Sequence, residues 1–146
     1  MQEVIKQLNE IVTEYFIRFS NLPDDELSLK TAPGKWSKKE IIGHLIDSAQ
    51  NNVRRFITVQ YQTNPHVVYN QDVWVSAQNY QQYNNTDLIL LWQLLNKHIC
   101  IVLQNIPVEK YQHVCNTGKG QDELYTIEFL AKDYIVHHLH HLKQIA

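Results

Sequence analysis

Two histidines, His137 and His141, stand four residues apart near the end of the chain. On a helix that spacing puts two imidazoles one turn apart on one face, where both can bind a single ion. Eight histidines are many for 146 residues, and four of them lie between positions 137 and 141. They are interleaved with Leu139 and followed by Leu142, Lys143, Gln144 and Ile145, so the segment reads as native helix and not as an appended tag. HxxxH by itself also arises in histidine-rich helices that hold no metal. A buried pair of neutral imidazoles nevertheless needs partners, and a metal ion would be one. Asp133, one turn before His137, is placed to orient that ring as a hydrogen-bond acceptor behind the ion.

His44 belongs to a different segment and carries two readings. It sits opposite the apolar positions of its helix, among Glu40, Asp47, Ser48, Asn51 and Arg55. One reading is a solvated helix face with one histidine on it. The other is a polar cleft wall in which His44 is a third ligand and Asp47 supports it. Asn51 and Arg55 would then hold a polar or anionic ligand, since a guanidinium donates two parallel hydrogen bonds to a carboxylate. Spacing alone does not choose between them.

The elements that must position these residues follow from periodicity. A first helix is expected over residues 3–20, on Val4, Leu8, Ile11, Val12, Tyr15 and Phe19, followed by a polar connection to Pro33 and Gly34. Ser37 and Glu40 form a capping-box pattern, so a second helix starts at about Lys38 and runs to roughly residue 61. Its apolar face is Ile42, Ile46, Ala49, Val53, Phe56 and Ile57. Residues 64–85 form a long aromatic connection with a short helical turn around 72–79. A third helix starts at Thr86 or Asp87 and ends near Ile106, before Pro107, using Leu88, Leu91, Trp92, Leu95, Ile99 and Val102. Residues 111–125 read as a loop, and Gly118-Lys119-Gly120 within it is too short for a phosphate-binding loop.

Thr126 caps a fourth helix. At 100° per residue its stripe is Ile127, Leu130, Tyr134, His137, His141 and Ile145, with the two histidines near the middle. His138 falls at the margin and His140 further round. The opposite side mixes Glu128, Lys132 and Lys143 with Val136 and Leu139, a second contact surface that suits a homodimer. No run alternates long enough for a sheet. The expected class is all-α: a four-helix bundle with long crossover connections, forming one domain over residues 1–146.

The net charge of −2 and the lack of a dense Lys/Arg run give no electrostatic reason to expect a nucleic-acid partner. The start of the chain lacks the basic residues and apolar run of a signal peptide, and no stretch is expected to span a bilayer. Cys100 and Cys115 have no CxxC spacing and are expected to be reduced thiols in a cytoplasm.

Three motifs together resemble a known family. The run from Lys35 through Trp36, Ser37, His44, Asp47 and Ser48, then Arg55 and Phe56, resembles the first motif of DinB-like proteins, nearest their YfiT-like metal-dependent branch. Tyr69, Asp72 and Trp74 resemble that branch's aromatic-acidic loop, and His137 to Ile145 resembles its HxxHHxxxI signature, with His138 where a small or polar residue is expected. The resemblance implies a four-helix bundle with a three-histidine site of His44, His137 and His141. Three neutral imidazoles leave a divalent ion its full charge and an open position. Such a centre lowers the pKa of bound water to roughly 7, or stabilises a thiolate. Zinc or nickel suits imidazole best, with iron or manganese as further options. The activity implied is thiol S-transfer or hydrolysis, on a small electrophile with a low-molecular-weight thiol. Asn51 and Arg55 are expected to contact thiol or substrate, and Tyr69, Asp72 and Trp74 to form a lid or pocket wall. The alternative is a non-catalytic metal-binding stress-response protein of the same fold.

Overall fold

Ser37 begins the helix that carries the first candidate ligand. Its hydroxyl accepts from Glu40 N, and the Glu40 carboxylate accepts in return from Ser37 N at 2.8 Å. Two N–H groups that would otherwise be orphaned are thereby satisfied. Thr126 caps the last helix with a single such bond, accepting from Phe129 N at 3.0 Å. The structure is a computed structural model describing residues 1–146. It contains α1 (Gln2–Ser20), α2 (Asp24–Ser28), α3 (Lys38–Thr58), α4 (Gln71–Gln78), α5 (Asn85–Gln104) and α6 (Ile127–Ile145). Strands β1 (Val114–Asn116) and β2 (Leu124–Thr126) form an antiparallel hairpin, with Cys115 opposite Tyr125.

The four long helices make the bundle. Each of α1 and α3 packs against both α5 and α6, so α1 and α3 face each other across it. The α1–α3 and α5–α6 connections therefore cross the bundle diagonally. Leu8, Phe19, Ile42, Leu45, Phe56, Trp92, Ile99 and Leu142 are fully buried at its centre, within one continuous apolar core. Removing each such side chain from water contributes about 1.5–3 kcal/mol.

Several sequence expectations need correction. The connection after α1 contains the one-turn helix α2, too short to show periodicity. Residues 111–125 contain the β1–β2 hairpin; its three-residue strands lie below the length at which alternation can be read. The Asn116 side chain shapes it, accepting from Gly118 N and Glu123 N and donating to Asp122. Ile57 is exposed, not part of the core face of α3. By length and composition, α5 could cross a membrane: 20 residues, with a mean hydropathy of 1.3. Here its apolar side is spent on α1 and α3, with Leu88, Trp92, Ile99 and Leu103 buried.

The stripe on α6 is also displaced. The buried residues are Ile127, Leu130, Ala131, Tyr134, Ile135, His138, Leu142 and Ile145. Their centre lies at His138, and His137 and His141 occupy one flank, half-buried. The flank faces α3.

Candidate metal centre

Helix α3 is covered nearly all round. Its apolar side enters the core; its polar side packs under α6, α4 and the 3₁₀ turn at Tyr80–Gln82. His44, Asp47, Ser48, Asn51 and Asn52 are consequently buried. The reading of this side as a solvated face does not hold. Gly43 allows the close approach: a Cβ there would lie 2.1 Å from Tyr80 Cδ2. The Tyr80 hydroxyl instead reaches past it to donate to Asp47 Oδ1 at 2.6 Å, where Gln78 Nε2 also donates at 2.7 Å.

His44 meets the flank of α6. One ring nitrogen from each of His44, His137 and His141 lies within 4.8 Å of the others. His44 Nε2 and His137 Nε2 are 3.2 Å apart. Two imidazole nitrogens sharing a tetrahedral ion at about 2.0–2.1 Å would stand about 3.3 Å apart, so this pair fits a common ion. On His141, Nδ1 donates to Gln144 Oε1 at 3.1 Å, which leaves Nε2 with a free lone pair. Gln144 is held in turn by a 3.4 Å contact from its Nε2 to His140 Nε2.

Electrostatics keep these rings neutral. Burial, then the charges of His137 and His141, lowers the His44 pKa to about 3. Burial, His141, His140 and Arg55 lower that of His137 to about 4, and burial chiefly lowers His141. Neutral rings at pH 7 offer lone pairs without first losing a proton, the state a metal requires. The residues present fit a divalent ion.

The other expected residues divide. A cavity of about 170 Å³ opens beside His137 and is lined by Arg55, Tyr69 and Asp133. Asp133 is exposed and forms no hydrogen bond with His137; Asp47 is bonded to Tyr80 and Gln78, not to His44. Asn51 donates to Asp47 O and does not line the cavity, whereas its neighbour Asn52 does. Asp72 is exposed on a second, larger cavity of about 770 Å³. Trp74 packs edge-to-face on Tyr69 at 5.5 Å and lines neither cavity. Trp36 lies over His44 with ring centroids 5.1 Å apart, and with Gln144 it lines the larger cavity. The centre thus stands between two cavities, and Gln71 borders both.

Sequence reasoning missed Trp36, Asn52, Thr117, Lys119 and Gln144. Trp36 and Gln144 stand inside the family-like motifs without having been given a role, and Gln144 is also at i+3 from His141 on one helix. Cys100 and Cys115 are free and buried, away from the three histidines.

The chain belongs to the DinB superfamily, whose family pattern matches residues 7–145. Among solved structures it resembles YfiT from Bacillus subtilis, described as a probable metal-dependent hydrolase with an unusual four-helix bundle topology. The TM-score is 0.88 at 20% identity, over 99% of this chain and 82% of that one. It also resembles a mycothiol-dependent maleylpyruvate isomerase. For a histidine-to-alanine variant of that enzyme the TM-score is 0.80 at 10% identity, over 99% of this chain; for a second structure it is 0.74 at 11%, over 97%. This chain spans 60% of the isomerase chain's length. No curated protein matches the sequence. At these identities the structural likenesses establish the fold.

Proposed function

We propose that this protein is a metal-dependent enzyme, a thiol S-transferase or a hydrolase, with His44, His137 and His141 as its metal ligands. The observation that carries the reading is the convergence of three neutral imidazoles from two helices at the edge of a cavity. The YfiT description as a hydrolase and the isomerase's dependence on mycothiol lend support from the same fold. Zinc or nickel is the ion this donor set suits best, with iron or manganese next.

A divalent ion bound there supplies a Lewis acid that lowers the pKa of the reacting thiol or water. The chain's own residues do the rest. Gln144 holds the His141 ring in one tautomer. Trp36 covers His44 and limits solvent on that side. Arg55 and Tyr69 line the cavity that receives the substrate, with Asp133 and Asp72 on the cavity rims. In this reading the chain is a single cytoplasmic domain whose partners are small molecules, not nucleic acid or membrane, and the exposed Val136 contributes to a homodimer contact, whereas Leu139 packs on the chain's own core.

The test is conjugation of a chloronitrobenzene electrophile by a panel of small thiols. Turnover is expected to require added zinc or nickel and to fall at least about a hundredfold in His44→Ala. Turnover indifferent to chelation and to His44→Ala would sink the proposal.

A further inference from the structure

We propose that the small cavity beside His137 is a carboxylate subsite anchored by Arg55, so that the thiol or substrate reacting at the three-histidine centre carries a carboxylate. The link to reaction rests on the function proposed above; the carboxylate subsite stands on the cavity itself.

Arg55 is on α3, about three turns beyond His44. Its side chain is half-buried, and Nε and Nη2 both donate to one oxygen, Val67 O, at 3.2 and 3.0 Å. Two donors on a single carbonyl leave most of the guanidinium's five hydrogens unspent. No carboxylate lies within ion-pair distance: the four ion pairs of the molecule involve Arg18, Lys30, Lys38 and Lys132. A partly desolvated guanidinium with no ion-pair partner is costly, and an arriving anion offsets that cost; Asp133 acts on it only at longer range. Lys119, on the hairpin turn, is a second cation on the cavity wall and is likewise unpaired. The opposing charge is Asp133, exposed at the rim. Ser48, Asn52 and Thr117 add short polar side chains.

Size narrows the ligand. A cavity of about 170 Å³ has room for a carboxylate on a short carbon chain. A planar carboxylate also matches the Arg fork. Gln71 lines both this cavity and the larger one.

The experiment is amide chemical-shift titration of the full, isotope-labelled, zinc-treated chain with succinate, its neutral diamide and inorganic phosphate. Succinate is expected to produce saturating shifts at Ser48, Asn52, Thr117 and Lys119, and the diamide none. Arg55→Gln should raise the succinate Kd at least about tenfold, and Arg55→Lys, which keeps the charge and a foldable side chain, by less. His44→Ala should leave that Kd within about twofold. Equal binding by Arg55→Gln, no saturating shifts at those amides, or phosphate binding about tenfold tighter than succinate would overturn the subsite. If His44→Ala loses succinate while Arg55→Gln keeps it, the carboxylate sits on the metal, which overturns the subsite but not the proposed function. Failure of the metal reading alone would leave the Arg55 result unchanged.

Discussion

His137 and His138 are neighbours on α6 and have opposite surroundings. His138 is fully buried, and its Nε2 accepts from the Trp92 indole N–H at 2.9 Å. Beside it the Tyr134 hydroxyl donates to Asn96 Oδ1 at 2.6 Å, and Asn96 donates to Trp92 O. The His138 Nε2 is thus satisfied within the core, while its Nδ1 is buried without a partner. His137 is half-buried, and its Nε2 faces another histidine nitrogen across 3.2 Å. Both rings have strongly lowered pKa values, about 3 for His138 and about 4 for His137, each mainly through burial. Burial and pKa therefore do not separate a structural histidine from a ligand. What separates them is the partner: the His138 lone pair is taken by the Trp92 indole, whereas His137 Nε2 meets only another imidazole nitrogen.

Metal binding should separate the two rings. Adding zinc at about a thousandfold excess over Kd should stabilise the wild type and His138→Gln by about 4 kcal/mol, and His137→Ala hardly at all. Thermal unfolding with and without metal reads this directly; equal shifts in all three proteins would refute the distinction.

Without metal the order reverses. His138→Ala leaves the Trp92 N–H unpaired beside a cavity and should cost about 3 kcal/mol in urea unfolding. His137→Ala, at the half-buried flank, should cost less than about 1 kcal/mol. A smaller cost for His138 than for His137 would mean the core reading of α6 is wrong.

Gln144→Ala frees the His141 ring and should weaken metal binding about tenfold to a hundredfold, with folding stability changed by under about 0.5 kcal/mol. Metal titration against a competing chelator measures it; an unchanged affinity would remove Gln144 from the site.

A separate effect, not ranked with these, is on pH. The unfolded chain protonates its histidines near 6.5, whereas folded His44, His137 and His138 resist until about 3 to 4. The unfolded state thus takes up protons first, and stability present above pH 6.5 is lost as pH falls toward 4. Urea midpoints of the metal-free protein should show this, with a shallower slope in His138→Gln. A midpoint rising on acidification would contradict the neutral-ring assignment.

What could be read from the sequence was local. Ser37 with Glu40, and Thr126, mark helix starts through contacts three residues long, and both caps form as expected. Four amphipathic helices follow from spacing. The site was only partly legible, because its parts meet through long-range packing. The same polar residues around His44 would face solvent on an uncovered helix; α6, α4 and Tyr80 bury them from up to about a hundred positions away. The angular projection of α6 placed His137 and His141 mid-stripe because it could not know that Trp92 would claim His138. Thr117 and Lys119 reach the cavity only through a hairpin whose strands are three residues each.

The most direct test is elemental analysis of untagged protein, wild type against His44→Ala, His137→Ala, His141→Ala and His138→Gln, each after exposure to zinc or nickel and desalting. Three convergent lone pairs predict about one equivalent of metal in the wild type and in His138→Gln, and close to none in the other three. Wild type that takes up no metal, or a His138→Gln protein that loses it alongside the others, would contradict the account.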